Sequence, residues 1–192
     1  IDETVLDTSD YMVERLRNGR PFSKKDWNEY VQRANAPPLP GALDFLKYAA
    51  SKGVTIKNFL VLGGSKRGWT TWLTAAVDQR VKAIIPASID MLNLSQQFIH
   101  HWESYGFYAP ALKDYVEFDL PCRVQTPEGK AMLGVVDPYT YRDRYTMPKL
   151  ILNATGDQFF TTDSSRFYYA DLPGPKWLRY TPNTDHKQTE DT

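Results

Sequence analysis

One cysteine, Cys122, stands among 192 residues, so no internal disulfide framework can form. Histidine is almost as scarce, with three copies. There is no His-x-x-x-His, no cysteine pair and no phosphate-binding glycine loop, so no metal and no cofactor are expected. Net charge is absent too: 23 Lys and Arg balance 23 Asp and Glu, with no basic stripe. Such a balance does not predict a nucleic-acid-binding surface. No run approaches the roughly 18 apolar residues that a membrane-spanning helix needs, and the longest apolar stretches have the length of strands. The chain opens at Ile1 without a signal-type segment. It carries no internal repeat and no low-complexity tract. What it has in quantity is aromatic side chains, 14% of the total, which suit a rigid core and equally a peptide or carbohydrate groove.

The length suits one ordinary domain. Val5, Leu6, Met12, Val13 and Leu16 recur near helical spacing over 4–18, with Asn18-Gly19 as a stop. A short helix begins at 23–27, Pro37-Pro38-Leu39-Pro40-Gly41 is a rigid break, and a helix over 42–51 ends at Gly53. Residues 57–62, 81–87, 148–153 and 176–180 read as strands. A helix over 69–77 links the first two, and one from 162 to about 170 links the last two. Strands alternating with helices predict an α/β fold, a mostly parallel sheet flanked by helices. Between 88 and 147 the alternation stops. That segment holds His100, His101, Trp102, Tyr105, Phe107, Tyr108, Tyr115 and Phe118. It reads as a helical, aromatic insertion, a lid over a site, or as two plain surface helices and a loop.

The run Phe59-Leu60-Val61-Leu62-Gly63-Gly64-Ser65-Lys66-Arg67-Gly68-Trp69 has the form of a nucleophile elbow. An apolar strand feeds a serine that opens a helix, and Gly63 and Gly68 supply the small neighbours that a sharp turn requires. Asp157 and His186 follow two later strands, so all three residues fall on the carboxyl edge of a parallel sheet, where open α/β sheets place their sites. The chain order Ser65, Asp157, His186 is that of nucleophile, acid and base in the α/β-hydrolase fold. In these roles His186 takes the serine proton, Asp157 holds the imidazole, and the Lys66 backbone N–H stabilises the oxyanion. Asp90, just after the second strand, competes for the role of acid. His100-His101 is the competing histidine pair.

One position departs from Gly-x-Ser-x-Gly: Arg67 stands two after the serine, and the glycine comes one later at Gly68. Arg67 can bind an acidic substrate group, assist the oxyanion or orient the insertion through a salt bridge. Trp69 and Trp72 share a helix face and are expected in the core. Asn93-Leu94-Ser95 and Asn153-Ala154-Thr155 match a glycosylation acceptor pattern, the second at the end of a buried strand. No strand-like sequence lies ahead of position 57, so the chain is expected to hold the C-terminal part of a hydrolase domain, with the second oxyanion donor outside it.

The segments Gly64-Ser65-Lys66-Arg67-Gly68-Trp69-Thr70-Thr71-Trp72, Asn153-Ala154-Thr155-Gly156-Asp157-Gln158-Phe159-Phe160 and Leu178-Arg179-Tyr180-Thr181-Pro182-Asn183 ahead of His186 resemble the PhoPQ-activated pathogenicity-related protein family. The resemblance runs from about residue 10 to 187. It implies an α/β-hydrolase fold akin to prolyl-peptidase-like catalytic domains, longer relatives, and a secreted or periplasmic location. It carries Ser65, Asp157 and His186 over as the triad. The expected partner is a small-molecule or peptide substrate, with a cell-surface or protein partner as a further possibility. Three functions are weighed: a serine esterase or peptidase, a secreted signalling or binding protein with a vestigial site, and a carbohydrate esterase resembling glucuronoyl esterases.

Overall fold

The four apolar runs pair as four parallel strands in the order β1 (Phe59–Gly64), β2 (Val81–Ala87), β3 (Lys149–Ala154) and β4 (Lys176–Thr181). The computed structural model describes Arg17, residues 42–54 and residues 57–188. The chain divides into two units, 1–56 and 57–192. Apart from Arg17, which is helical, the elements expected over 4–18, 23–27 and 37–41 lie outside the described residues. In the first unit, α1 (Ala42–Ser51) ends where Gly53 takes a φ of +72° and donates its N–H to Ala50 O at 3.0 Å. That left-handed geometry is the reason a glycine stands there.

In the second unit the register aligns the carboxyl ends of all four strands. Gly64 pairs with Ala87, Ala87 with Leu152, and Ala154 with Thr181. The loops after β1, β3 and β4 therefore leave the sheet side by side. α2 (Lys66–Val77) connects β1 to β2 and buries Gly68, Thr71, Trp72, Ala75 and Ala76. Small residues let the helix lie close to the sheet, and Trp72 fills the remaining volume. It is wholly buried, edge-on to Tyr145 at 4.9 Å between ring centroids. Truncating such a side chain to alanine costs about 3–5 kcal/mol. Trp69 is half-buried and donates its indole N–H to Val136 O at 2.7 Å.

Residues 88–148 cross from β2 to β3 as α3 (Leu94–Tyr105), a 3-10 turn at Pro110–Leu112, α4 (Lys113–Glu117), α5 (Leu120–Arg123), α6 (Pro127–Val136) and a 3-10 segment at Pro138–Arg144. A distant carboxylate caps α3: Asp137 accepts the N–H groups of Leu94 at 2.7 Å and Asn93 at 3.3 Å, and that of Tyr139 at 2.9 Å. These donors would otherwise lack acceptors at a helix start. No described helix is long and apolar enough to cross a membrane.

The helix expected over 162–170 is instead a single 3-10 turn, Ser164–Phe167. Thr161 and Ser164 bond hydroxyl to hydroxyl at 2.8 Å, which favours a tight turn over helix propagation. Tyr168 then leaves helical geometry at a φ of −151° and sends its phenol into the interior. A buried cation closes the far end of the sheet. The Lys149 ammonium donates to Pro173 O at 2.5 Å and Pro175 O at 3.4 Å, and burial pulls its pKa down to about 8.

Candidate active site

Ser65 sits between β1 and α2 with φ 53° and ψ −125°, a region that non-glycine residues rarely occupy. Such strain, of order 1–3 kcal/mol, persists only where neighbours enforce it. Here the Ser65 N–H is held by Ala87 O at 2.8 Å, and the Trp69 N–H bonds Ser65 O at 3.1 Å. The flanking glycines are sterically required. A Cβ on Gly63 would fall 2.4 Å from Arg67 O, and one on Gly68 would fall 2.7 Å from Ile89 Cγ2.

The structure brings Ser65, His186 and Asp157 together across 121 positions of chain. His186 Nε2 lies 2.8 Å from Ser65 Oγ, and His186 Nδ1 lies 2.8 Å from Asp157 Oδ2. Both lengths fall within the roughly 2.6–3.2 Å expected of a nucleophile, base and orienting acid. The Asp157 side chain is 3% exposed. Its second oxygen accepts the N–H groups of Phe159 at 2.8 Å and Phe160 at 3.4 Å. The carboxylate is thus aimed by its own loop, with one oxygen left for the imidazole.

The loop of the base is laced to the loop of the acid. Gly156 N–H donates to Thr184 O at 2.9 Å, Asn183 N–H to Thr155 Oγ1 at 2.8 Å, and His186 N–H to Gln158 Oε1 at 3.0 Å. Gln188 closes the strap by donating to Ser88 Oγ and Leu152 O, both at 2.9 Å. The rings of Phe159 and Phe160 lie 4.5 and 5.9 Å from the imidazole, centroid to centroid. Sequence reasoning missed these supports. Gln158 directly follows the acid and offered a local signal; Gln188 offered none.

The competing residues lie elsewhere. Asp90 is buried and accepts the phenol O–H of Tyr168 at 2.6 Å and that of Tyr180 on β4. Burial pushes its pKa up to about 7. It therefore ties β2 to β4 without reaching His186. His100 bonds Asp163 at 2.6 Å, while His101 Nε2 accepts the N–H of Ala109 at 3.1 Å. Lys66 and Arg67 open α2 with exposed side chains. The Lys66 N–H belongs to the first turn, whose amides have no acceptor inside the helix. The Arg67 carbonyl accepts the Thr71 hydroxyl at 2.9 Å. Of the two glycosylation patterns, Asn153 is buried and Asn93 spends its amide N–H on Phe167 O at 3.1 Å.

The family model described as PhoPQ-activated pathogenicity-related protein matches residues 22–192. Autocrine proliferation repressor protein A of Dictyostelium discoideum is 37% identical over 142 residues, which is 73% of this chain and 29% of the relative. The chain thus spans less than a third of that relative's length. Among solved structures, an acetyl xylan esterase from Paenibacillus sp. R4 matches with a TM-score of 0.51 at 23% identity, over 76% of this chain and 44% of its own. An acylaminoacyl peptidase of Pyrococcus horikoshii matches with a TM-score of 0.53 at 18% identity, over 77% and 22% respectively. With the parallel sheet and its flanking helices, these likenesses show that the chain has the α/β-hydrolase fold over part of a domain.

Proposed function

This chain belongs to the PhoPQ-activated pathogenicity-related protein family, and from that membership and the geometry around Ser65 we propose that it is a serine hydrolase cleaving an ester or peptide bond. The observation that carries the proposal is the continuous chain of two 2.8 Å contacts from Ser65 Oγ through the His186 ring to Asp157. His186 Nε2 takes the proton as Ser65 Oγ attacks the substrate carbonyl carbon. Asp157 fixes the tautomer and stabilises the imidazolium. The Lys66 N–H donates to the developing oxyanion, an interaction worth roughly 3–4 kcal/mol in kcat. Collapse of the tetrahedral intermediate expels the leaving group, which receives the proton from His186 and leaves an acyl-enzyme. Water, deprotonated by the same histidine, then releases the acid and restores Ser65.

Arg67, exposed one residue beyond the oxyanion donor, serves in this proposal as a cationic contact for substrate. Residues 88–147 act as the covering insertion. A fluorophosphonate probe applied to the full-length protein is expected to label Ser65 in the wild type and nothing in Ser65→Ala. A folded wild type that stays unlabelled overturns the proposal. The name of the Dictyostelium discoideum relative favours a second reading, a signalling protein whose site is vestigial. That reading predicts that Ser65→Ala keeps full growth-repressing activity in a cell assay.

A further inference from the structure

The nucleophile and the base are tied to the same strand end. β2 finishes at Ala87, whose carbonyl accepts the Ser65 N–H at 2.8 Å. The next residue, Ser88, accepts the side-chain amide of Gln188 on its hydroxyl oxygen at 2.9 Å. Gln188 stands two after His186. Two adjacent residues at the end of β2 therefore hold the elbow on one side and the tail of the base loop on the other.

Ser88 is buried and leaves the strand with a φ of 48°, in the left-handed region. A glycine adopts that geometry freely and a side chain seldom does. The Ser88 N–H donates to Leu152 O at 2.8 Å, and the same carbonyl accepts the Gln188 amide at 2.9 Å. Leu152 O can only accept, which fixes Nε2 as the atom facing it. Gln188 Oε1 in turn accepts the Thr181 hydroxyl at 3.3 Å, at the end of β4 where the base loop begins. One amide thus joins the start of the loop, its end, and the ends of β2 and β3. Around the base the chain is drawn tight: Lys187 N–H donates to Asp185 Oδ1 at 2.8 Å and Gln188 N–H to Asp185 O at 2.9 Å. That turn leaves little slack to absorb a shift of Gln188 before it reaches His186.

We propose that Gln188, seated on Ser88, is a positioning residue that sets the reach of His186 toward Ser65. Gln158 steadies the base from the acid loop, and this brace steadies it from β2. The strained serine then has a use, because the bond to Gln188 needs its hydroxyl. Both residues act through His186. As a statement about rate, the proposal rests on the serine-hydrolase reading above; as a statement about where the imidazole sits, it does not.

The test uses the full-length protein, p-nitrophenyl acetate and the fluorophosphonate. Gln188→Ala removes both donated bonds and is expected to lower kcat and the labelling rate of Ser65 by about tenfold or more, with KM within about twofold. Ser88→Gly separates positioning from stability. It is expected to slow both reactions by about fivefold while the urea midpoint stays in place, because release of the left-handed strain offsets the lost bond. A tie that served stability alone would move the midpoint and leave kcat. Unchanged rates in the two variants, or losses that only follow the midpoint, overturn the proposal. NMR of the His186 ring nitrogens supplies a readout without turnover: one tautomer, with the proton on Nδ1, is expected in the wild type and a mixture in Gln188→Ala. If the wild type neither cleaves the ester nor takes up the probe, the hydrolase reading falls separately and the ring spectra alone decide. The mixture then supports the brace, and the same tautomer state in both proteins overturns it.

Discussion

Gln158 accepts the backbone N–H of His186 at 3.0 Å, so the residue after the acid also fixes the chain position of the base. Removing that acceptor does not touch substrate, but it loosens the imidazole. Gln158→Ala is expected to lower kcat by about fivefold, consistent with roughly 1 kcal/mol for one hydrogen bond. KM should change little, and Gln158→Glu, which keeps the acceptor, should recover most of the rate. Steady-state kinetics on an activated ester decides it.

The acid itself should matter far more. Asp157→Asn keeps an acceptor for the Phe159 N–H but reverses the tautomer preference at His186. A loss of kcat of about 10⁴ is expected, as for the same change in a Ser-His-Asp site. Asp90→Asn should show nothing on that scale, because Asp90 bonds Tyr168 and Tyr180 and not the imidazole. Comparable losses in the two variants would reverse the assignment of the acid.

Asp90 should instead be visible in stability. Burial raises its pKa from 3.8 to about 7. Between pH 4 and pH 7 the folded protein therefore holds a proton that the unfolded chain has released, and stability falls as pH rises through that window. The contribution of this one group is on the order of 4 kcal/mol from end to end. Urea denaturation at pH 5 and pH 8 should show a clear drop for the wild type and a smaller one for Asp90→Asn. An identical drop in both proteins would refute it.

The elbow makes a separate prediction. A methyl group on Gly63 would meet Arg67 O at 2.4 Å, a backbone atom that cannot turn aside. Gly63→Ala is expected to destabilise by about 1–3 kcal/mol and to slow fluorophosphonate labelling of Ser65. The control is Gly134→Ala, whose added Cβ meets nothing within 4 Å; chemical denaturation of both measures the difference.

How much of this was legible in the sequence depends on range. The strands were readable because apolar runs of strand length alternate with helical spacing, and the structure shifts β1 only to Phe59–Gly64 from the expected 57–62. The parallel order followed from the helix between the first two strands. Ser65, Asp157 and His186 could be picked out because each follows a strand, so topology alone predicted their meeting. The supports could not be seen. Asp137 caps a helix 43 positions upstream, and Tyr180 reaches Asp90 across 90 positions. Such pairings depend on strand register and on where one loop passes another, which no local pattern encodes. The expected helix over 162–170 failed for reasons of both kinds: its spacing was adequate, but the Thr161–Ser164 hydroxyl pair closes a tight local turn, and the distant bond from Tyr168 to Asp90 outweighs weak helical propensity.

The lacing of the two loops also restricts how this family can vary. Thr155, Gly156 and Gln158 grip Asn183, Thr184 and His186 rung by rung, as in a short ladder. One residue inserted between Thr181 and His186 would carry the imidazole about 3.8 Å along, farther than its whole contact with Ser65. A length change in either segment therefore needs a matching change in the other to keep the imidazole in place.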